Sequence, residues 1–313
     1  MNFSKQYLAD LANKSNFLRD NLEKMLRLVE ILKFLNTDEL LKGKLALKGG
    51  TAINLTSAKL PRLSVDIDLD FSENLSKEEI TRERAQLAKR LSDYMWQEGY
   101  SLMQEPREHY ALLSYVFSYI NNAGNRDSIK VEINFMDRCH VLPLEHKQLH
   151  TKDFFESFPI LALNAVELYA SKINALLSRG APRDLYDTFT MIENNPVKDL
   201  DMLRKCLIFY NMVGGDQDID NIGFQQIERI NFQMFKRQLK PVIAKDDKFD
   251  LKAAKSVVIE FLQKLIKLTQ SEKKFVREFR EKNYAPQLLF DDNKIVENIL
   301  SHPMALWRCR TQE

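Results

Sequence analysis

The sequence predicts an α+β fold, in which a mixed sheet with flanking helices is followed by a mostly helical C-terminal domain. Residues 64–71 alternate between polar and apolar side chains, which is the period of a half-buried strand. Residues 110–120 and 128–135 also have strand composition, and the Asn- and Gly-rich residues between them are typical of a turn. After Pro159, apolar residues recur at helical spacing instead.

Length and composition indicate two globular domains. With 313 residues, we expect a sheet-containing module at residues 1–150 and a helical domain at residues 151–313. The hydrophobic fraction of 44% and the charged fraction of 29% are typical of soluble proteins. No run has the length and apolarity of a membrane span, and the N-terminus does not lead into a signal-peptide core, so a cytoplasmic location is expected. Three scattered cysteines favour neither disulfides nor a zinc site, and a net charge of +2 does not by itself indicate a nucleic-acid-binding protein.

The N-terminal module is expected to begin with one long helix. Leucines, isoleucine and methionine recur at near-helical spacing over residues 4–35, and residues 44–47 form a short buried strand. Ser76 followed three residues later by Glu79 predicts a capping box, which starts a charged amphipathic helix that ends near Gly99.

The strand at residues 64–71 has one acidic face. Neighbouring residues on a strand point to opposite sides. One side of this strand is therefore apolar and the other carries Ser64, Asp66, Asp68 and Asp70. Like charges at this spacing repel each other, and a divalent cation bound between two carboxylates removes that cost. An edge strand with a solvated acidic face is the commoner origin of an isolated Asp-x-Asp.

A Gly-Gly-Thr turn upstream favours the metal-binding alternative. Gly49 and Gly50 allow a sharp turn and close approach to a ligand, and Thr51 opens a helix whose free N–H groups favour phosphate. Together with the acidic strand, these are the parts of a phosphoryl-transfer site. Glu132 lies in the strand predicted at residues 128–135, and we expect it beside Asp66 and Asp68 as a third metal ligand, although alone it would be an ordinary exposed strand residue.

The helical domain contains a second cluster of charged residues. Asn164 is expected to cap a helix that ends at Gly180, and Pro182 starts the next helix. Around this junction lie Lys172, Arg179, Arg183 and Asp184. Helix caps and surface ion pairs explain any one of them, but the cluster is denser than capping requires.

The remaining helices carry a basic region. Helices are expected at residues 197–213, 224–239, 251–268, 272–282 and 293–300. Basic residues outnumber acidic ones between Lys236 and Lys282. This excess is either a solvated helix face, which is the commoner case, or a surface that holds a polyanion.

Two segments resemble the AbiEii/AbiGii toxin family of nucleotidyltransferases, within the DNA polymerase β-like superfamily. They are residues 47–51 (LKGGT) with 62–68 (RLSVDID), and residues 167–176 (ELYASKINAL) with Arg179 and residues 183–187 (RDLYD). The resemblance implies a nucleotidyltransferase-like mixed sheet. It also implies the toxin of a toxin–antitoxin or abortive-infection (antiviral defence) system, with a cognate antitoxin as partner. Related toxins add nucleotides to the acceptor end of tRNA and so stop translation.

The resemblance also implies a role for each matching residue. Asp66 and Asp68 are expected to bind Mg²⁺ or Mn²⁺, with Glu132 as the third carboxylate. The triphosphate of a nucleoside triphosphate is assigned to Gly49, Gly50, Thr51 and Ser64. Lys172 is assigned to the nucleotide phosphates and Asp184 to catalysis or nucleotide positioning, with Arg179 and Arg183 in support. Asp70 remains a candidate for supporting the metal ligands.

Two other functions stay open at this stage. An enzyme of the same fold that modifies a small molecule such as an aminoglycoside, or a protein, would share the acidic strand and the Gly-Gly turn. A non-catalytic nucleotide-binding or interaction protein could also be built on this fold. We favour transfer to the 3′ end of a tRNA, as the resemblance implies. A basic helical domain lining the cleft would favour RNA, whereas a closed acidic pocket would favour a cationic small molecule. No membrane partner is expected.

Overall fold

An eight-stranded mixed sheet lies in the first of two structural units, in a computed structural model that describes residues 3–214 and 217–310. The first unit takes in the described part of Met1–Arg138 together with Leu144–Ala162 and Pro241–Asp247. The second unit comprises Cys139–Pro143 and the described parts of Leu163–Lys240 and Lys248–Glu313. Both units are therefore assembled from segments that are separated in the sequence.

The strands of the first unit follow the order β3-β5-β6-β2-β1-β8-β7, and β4 also pairs with β5. They are β1 (Leu45–Lys48), β2 (Asp66–Phe71), β3 (Ser101–Leu102), β4 (Arg107–His109), β5 (Leu112–Ile120), β6 (Arg126–Asn134), β7 (Glu145–Gln148) and β8 (Pro159–Ala162). β2 runs parallel to β6 and β1 runs parallel to β8, whereas the other pairs are antiparallel. The predicted mixed sheet with flanking helices is confirmed.

Four helices belong to this unit. They are α1 (Lys5–Ser15), α2 (Arg19–Thr37), α3 (Gly49–Ala52), which continues as a π-helical turn (Ile53–Ser57), and α4 (Lys77–Gln97). The prediction of one helix over residues 4–35 is wrong, because Asn16 adopts a left-handed conformation (φ 58°) and ends α1. Asn tolerates this conformation better than most residues. The Ser76–Glu79 capping box at the start of α4 is confirmed.

The apolar side of β2 forms part of the core of the first unit. Ile67, Leu69 and Phe71 are fully buried, and the ring centroids of Phe71 and Phe135 lie 5.3 Å apart. Because alternate side chains of a strand point to opposite faces, burial of the apolar side directs the acidic side of β2 away from this core.

The second unit is helical. Its helices are α5 (Ala165–Arg179), α6 (Pro182–Asn194), α7 (Leu200–Gly214), α8 (Gln225–Arg229), α9 (Phe232–Gln238), α10 (Leu251–Leu265), α11 (Gln270–Arg280), α12 (Asn293–Leu300) and α13 (Pro303–Cys309). The helix expected over residues 224–239 is two helices, because Ile230 leaves the helical conformation and the extended Asn231 caps α9 with its side chain. α13 was not predicted. None of the helices among the described residues has the length and apolarity needed to cross a membrane.

Candidate functional site

The carboxylates of Asp66 and Asp68 lie on one face of β2, in the first unit. Both are half-buried, whereas Ile67 between them is fully buried on the opposite face. β6 runs parallel alongside, and its Glu132 lies opposite Asp68. Residues paired across neighbouring strands point to the same side of a sheet. Glu132 therefore shares the face of the two aspartates.

The Glu132 carboxylate is engaged by a neighbour on its own strand. Lys130 Nζ lies 2.5 Å from Glu132 Oε2. Within residues 3–214 and 217–310, no three His, Cys, Asp or Glu side chains are grouped so that they could hold a metal ion. The role of Glu132 as a third metal ligand therefore stays a prediction.

The backbone of Gly49 approaches the Asp68 carboxylate closely. Gly49 has φ +68°, and a Cβ atom built there would lie 2.5 Å from Asp68 Oδ2. A side chain at this position would be strained by the left-handed backbone and would also displace the carboxylate. Glycine is therefore required both for the turn and for the position of Asp68.

The hydroxyl of Thr51 ties the helix after the Gly-Gly turn to the start of β2. It lies 2.7 Å from Ser64 Oγ and also within hydrogen-bonding distance of the Asp66 carbonyl oxygen. Thr51 and Ser64 are both buried. One helical turn later, Asn54 Nδ2 donates a hydrogen bond to the Gly50 carbonyl (2.7 Å). These contacts fix the turn relative to the acidic strand.

The chain that leads into β2 is held by a distant segment. The Leu63 amide donates to the Val242 carbonyl (2.7 Å), and Arg62 pairs with Ile243 in an isolated antiparallel bridge. Arg62 is itself buried, and its guanidinium donates to the Leu63 carbonyl (3.0 Å). The backbone at the start of β2 is therefore held both by residues 242–243 and by the Arg62 side chain.

Lys48 is a residue of this face that the sequence reasoning missed. It lies opposite Asp68 in the β1–β2 ladder, and its Nζ is 2.5 Å from Asp70 Oδ1 and 3.5 Å from Asp137 Oδ2. Burial works against the charge on Lys48, but Asp70, Asp137 and Asp68 together raise its pKa above the ordinary value. Asp70 therefore binds a fixed ammonium group. The position of this lysine, directly before the Gly-Gly turn and next to a strand with an acidic face, could have indicated its role from the sequence.

The second unit buries the other predicted cluster. Lys172 on α5 contacts two aspartates of α6, with Nζ 2.9 Å from Asp184 Oδ1 and 3.2 Å from Asp187 Oδ2. Arg179 Nε donates to Asp184 Oδ2 (2.7 Å). The arrangement brings Lys172, Arg179 and Asp184 together. Arg183 is half-buried on the first turn of α6.

The members of this cluster differ in exposure. Asp184 and Lys172 are buried, whereas the Arg179 side chain is 64% exposed. Burial alone would raise the pKa of Asp184, but Lys172 and Arg179 lower it to about 2. Asp184 therefore remains ionised at neutral pH, and Arg179 is the member that can reach a ligand from solvent.

Glu167 follows the capping Asn164 by three residues, which is the spacing of a capping box, but its carboxylate makes other contacts. Asn164 caps α5 as predicted, but the buried Glu167 carboxylate accepts hydrogen bonds from the amides of Val141 (2.8 Å) and Leu142 (3.0 Å) and from the Tyr210 hydroxyl. Burial raises the pKa of Glu167 to about 7. This carboxylate anchors residues 139–143 to the second unit.

Asp66 and Asp68 fit a magnesium or manganese ion by their chemistry. Hard divalent cations prefer oxygen ligands, and Mg²⁺ is commonly bound by one or two carboxylates together with substrate phosphates and water. Two aspartates on one strand face supply such donors, and the close approach of Gly49 fixes Asp68 in place. The donor set is thus appropriate for a metal bound together with a nucleotide.

Comparison with known proteins agrees with this reading. Residues 33–257 match the model of a family described as the nucleotidyl transferase AbiEii toxin of type IV toxin–antitoxin systems. The fold is similar to that of MenT4, a nucleotidyltransferase toxin from Mycobacterium tuberculosis H37Rv, with a TM-score of 0.63 and 15% sequence identity over 99% of this chain and 100% of MenT4. No curated protein sequence matches the chain.

The family match covers more than half of the chain and includes both charged clusters. A nucleotidyltransferase takes its nucleotide from a nucleoside triphosphate, and a toxin of this type has a cognate antitoxin. This chain belongs to the AbiEii family of nucleotidyltransferase toxins.

Proposed function

We propose that this toxin transfers a nucleotide, in a Mg²⁺-dependent reaction in the cytoplasm, to the 3′-terminal hydroxyl of a tRNA and thereby stops translation and growth. The observation that carries the metal-dependent part is the pair of carboxylates on one face of β2, with the backbone of Gly49 against Asp68. A carboxylate pair beside a glycine turn is suited to bind a nucleoside triphosphate together with its cation.

The acidic strand supplies the metal ligands in this proposal. Asp66 and Asp68 hold the ion and Glu132 completes the set after it releases Lys130. When bound, the ion neutralises phosphate charge and orients the triphosphate. Lys48 lies against Asp70 and Asp137 and offsets part of the negative charge next to Asp66 and Asp68.

Other residues bind and orient the triphosphate. The backbone N–H groups of Gly49 and Gly50 face phosphate oxygens, and Thr51 and Ser64 hold the turn that presents them. Lys172 binds the nucleotide phosphates, and Asp184 is the catalytic or nucleotide-positioning acid of the second motif. Arg179 and Arg183 add positive charge, with Arg179 as the exposed member.

The reaction is an in-line displacement at the α-phosphorus. The acceptor hydroxyl oxygen forms a bond to phosphorus and its proton passes to solvent water, while the bond from phosphorus to the bridging oxygen breaks and pyrophosphate leaves. Fixed donors and positive charges stabilise the charge that develops on the phosphoryl oxygens. The protein supplies positioning and electrostatics rather than a covalent intermediate.

The RNA acceptor is supported by exposed cations of the helical unit. Lys273, Lys274 and Arg277 are exposed on α11, whose opposite face packs Phe275 and Val276 into the core. Arg277 lies 3.8 Å from Glu278, while Arg280 binds Asp218 and Asp220 and Lys264 binds Glu260. Exposed cations such as Lys273 and Lys274 can attract phosphates.

Transfer is tested by incubating the toxin with total RNA, Mg²⁺ and each labelled nucleoside triphosphate in turn. We expect label in the tRNA fraction, loss of labelling with Asp68→Ala, and parent-level labelling with the control Asp93→Ala, which changes an aspartate of α4 whose side chain is 46% exposed. Expression of Asp93→Ala should arrest growth like the parent, whereas expression of Asp68→Ala should not. Label on protein or on an aminoglycoside, with none in RNA, would refute the RNA acceptor. Equal toxicity of a folded Asp68→Ala protein would refute the transfer mechanism of arrest.

A further inference from the structure

Helix α9 is unusual in the second unit because none of its residues is buried. It exposes 60% of Phe232 and leaves Met234 and Phe235 half-buried. A helix that contributes nothing fully buried to the core gains little from hydrophobic burial, and an exposed aromatic ring beside cations is a feature of binding surfaces. We call Phe232, Phe235, Lys236 and Arg237 the α9 surface.

The rings of this surface continue an aromatic stack from the packed interior of the unit. Phe249 contacts Tyr186 and Phe189 of α6 at centroid distances of 5.1 and 5.7 Å. Phe235 stacks on Phe249 (6.1 Å, 22° between ring planes), and Phe232 stacks on Phe235 (5.8 Å, 22°). The stack therefore starts among packed helices and ends in an exposed ring, held in a defined orientation by the rings beneath it.

The charged residues of α9 and its flanking residues have a single sign. Residues 231–240 contain Lys236, Arg237 and Lys240 and no acidic residue. Lys236 Nζ lies 5.1 Å from the centroid of the Phe232 ring, as in a cation–π pair. A groove of about 380 Å³ on the same helix is lined by Asn231, Gln233, Met234, Lys236 and Arg237. Such a surface is complementary to a polyanion, and the two amide side chains can hydrogen-bond to base edges.

We infer that the α9 surface binds a single-stranded segment of RNA by stacking an unpaired base on Phe232. Lys236 moves from the ring to a phosphate of the same strand, and Arg237 binds a second phosphate. Sequence-tolerant binding of single strands combines these elements, namely an aromatic ring for the base and cations for the backbone. A duplex keeps its bases stacked on one another and cannot use the ring. This inference rests on the RNA acceptor of the proposed function and assigns the protein surface that holds it.

The first experiment measures the affinity of the full chain for a short labelled single-stranded RNA by fluorescence anisotropy. Phe232→Ala should weaken binding roughly 5- to 150-fold, which corresponds to a stacking contribution of about 1–3 kcal/mol per base. Phe232→Tyr keeps an aromatic ring and should bind like the parent. Trp307→Ala removes an exposed aromatic residue of α13 and is the matched control, with no expected loss.

Two further measurements separate stacking from charge. An abasic strand of the same length should bind the parent and Phe232→Ala equally. The double variant Lys236→Ala/Arg237→Ala should flatten the log–log salt dependence by about 1.4, since each phosphate contact in a single strand contributes about 0.7. Phe232→Ala should leave that slope unchanged. Lys5→Ala/Lys14→Ala removes two exposed lysines of α1, outside the basic region, and serves as the matched control for the position of the charges.

The outcomes distinguish this inference from the proposed function. If the parent labels RNA but Phe232→Ala binds single strands as tightly as the parent, the α9 inference is wrong and the transfer reaction stands. If Phe232→Ala weakens single-strand binding and no RNA is ever labelled, the binding surface stands and the acceptor is wrong. Equal loss on single-stranded and abasic strands, or an effect of Phe232 confined to acidic peptides or anionic vesicles, would overturn base stacking.

Discussion

Replacing Lys48 by methionine tests whether the acidic face of β2 depends on an internal positive charge. Lys48 Nζ lies 2.5 Å from Asp70, whose side chain is only 2% exposed, and 3.5 Å from Asp137. Methionine keeps most of the length of the side chain and removes only the ammonium group. The variant thus leaves a buried carboxylate without its closest cation.

The expected cost follows from burial. Breaking a buried ion pair by removing one partner costs about 3–5 kcal/mol, because the remaining charge is poorly solvated. The Lys48 side chain is 25% exposed, so water can replace part of the lost interaction, and we expect about 3 kcal/mol. The exposed pair Lys89–Asp93 has a similar contact distance of 2.7 Å, but Lys89→Met should cost at most about 1 kcal/mol.

The assay must report on the first unit alone, because a chain with two units need not unfold in one step. Hydrogen exchange in peptides from β1 and β2, measured in increasing urea, gives the free energy of opening for that part of the sheet. The double variant Lys48→Met/Asp70→Asn removes both charges and should be more stable than Lys48→Met alone. If Lys48→Met and Lys89→Met lose the same stability, the internal ion pair does not support the acidic face.

Three further predictions concern single positions. Gly49→Ala should reduce kcat for nucleotidyl transfer about 100-fold, because the added methyl group displaces Asp68. Gly43→Ala is the control: Gly43 also has a left-handed backbone (φ +77°) but no atom within 4 Å, so this variant should keep its kcat and lose only about 1 kcal/mol of stability, measured by thermal melting. Burial raises the pKa of Glu167 to about 7, so the free energy of unfolding should fall as the pH rises from about 4.5 to 7 and this carboxyl ionises. Glu167→Gln cannot ionise and should abolish about 3 kcal/mol of this pH-dependent loss, measured by urea unfolding. An unchanged pH profile in the variant would show that Glu167 is not the titrating group. Lys172 and Arg179 lower the pKa of Asp184 to about 2, so its ionised carboxylate stabilises the fold at neutral pH. Asp184→Asn should lower the free energy of unfolding by about 3 kcal/mol at pH 7. This difference between variant and parent should shrink as the pH falls from about 4 towards 2, as measured by urea unfolding.

Features that depend on neighbouring residues could be predicted from the sequence. The alternation of residues 64–71 predicted both the strand and its acidic face, because side-chain direction on a strand is set by the backbone period alone. The Ser76–Glu79 capping box is equally local. The left-handed turn at Asn16 is also local, but Asn occurs in helices often enough that the hydrophobic period suggested one continuous helix.

Contacts between distant parts of the chain could not be predicted in this way. The Lys48–Asp70 pair depends on the register of β1 against β2, and Asp137 joins it from beyond β6. Glu167 has the spacing of a capping residue relative to Asn164, yet burial places its carboxylate against amides about 25 residues earlier. In both cases a charged side chain is directed by tertiary structure, which residue spacing does not encode.

The pairing of residues 62–63 with residues 242–243 also determines when the acidic strand can reach its final form during synthesis. About 180 residues separate the two segments, and at roughly 5–20 residues per second the ribosome needs on the order of ten seconds or more to make them. A nascent chain shorter than this lacks the backbone partner at the entry to β2. Prematurely released fragments that end before residue 242 should therefore be less toxic than the full chain, because the entry to β2 has lost its backbone partner.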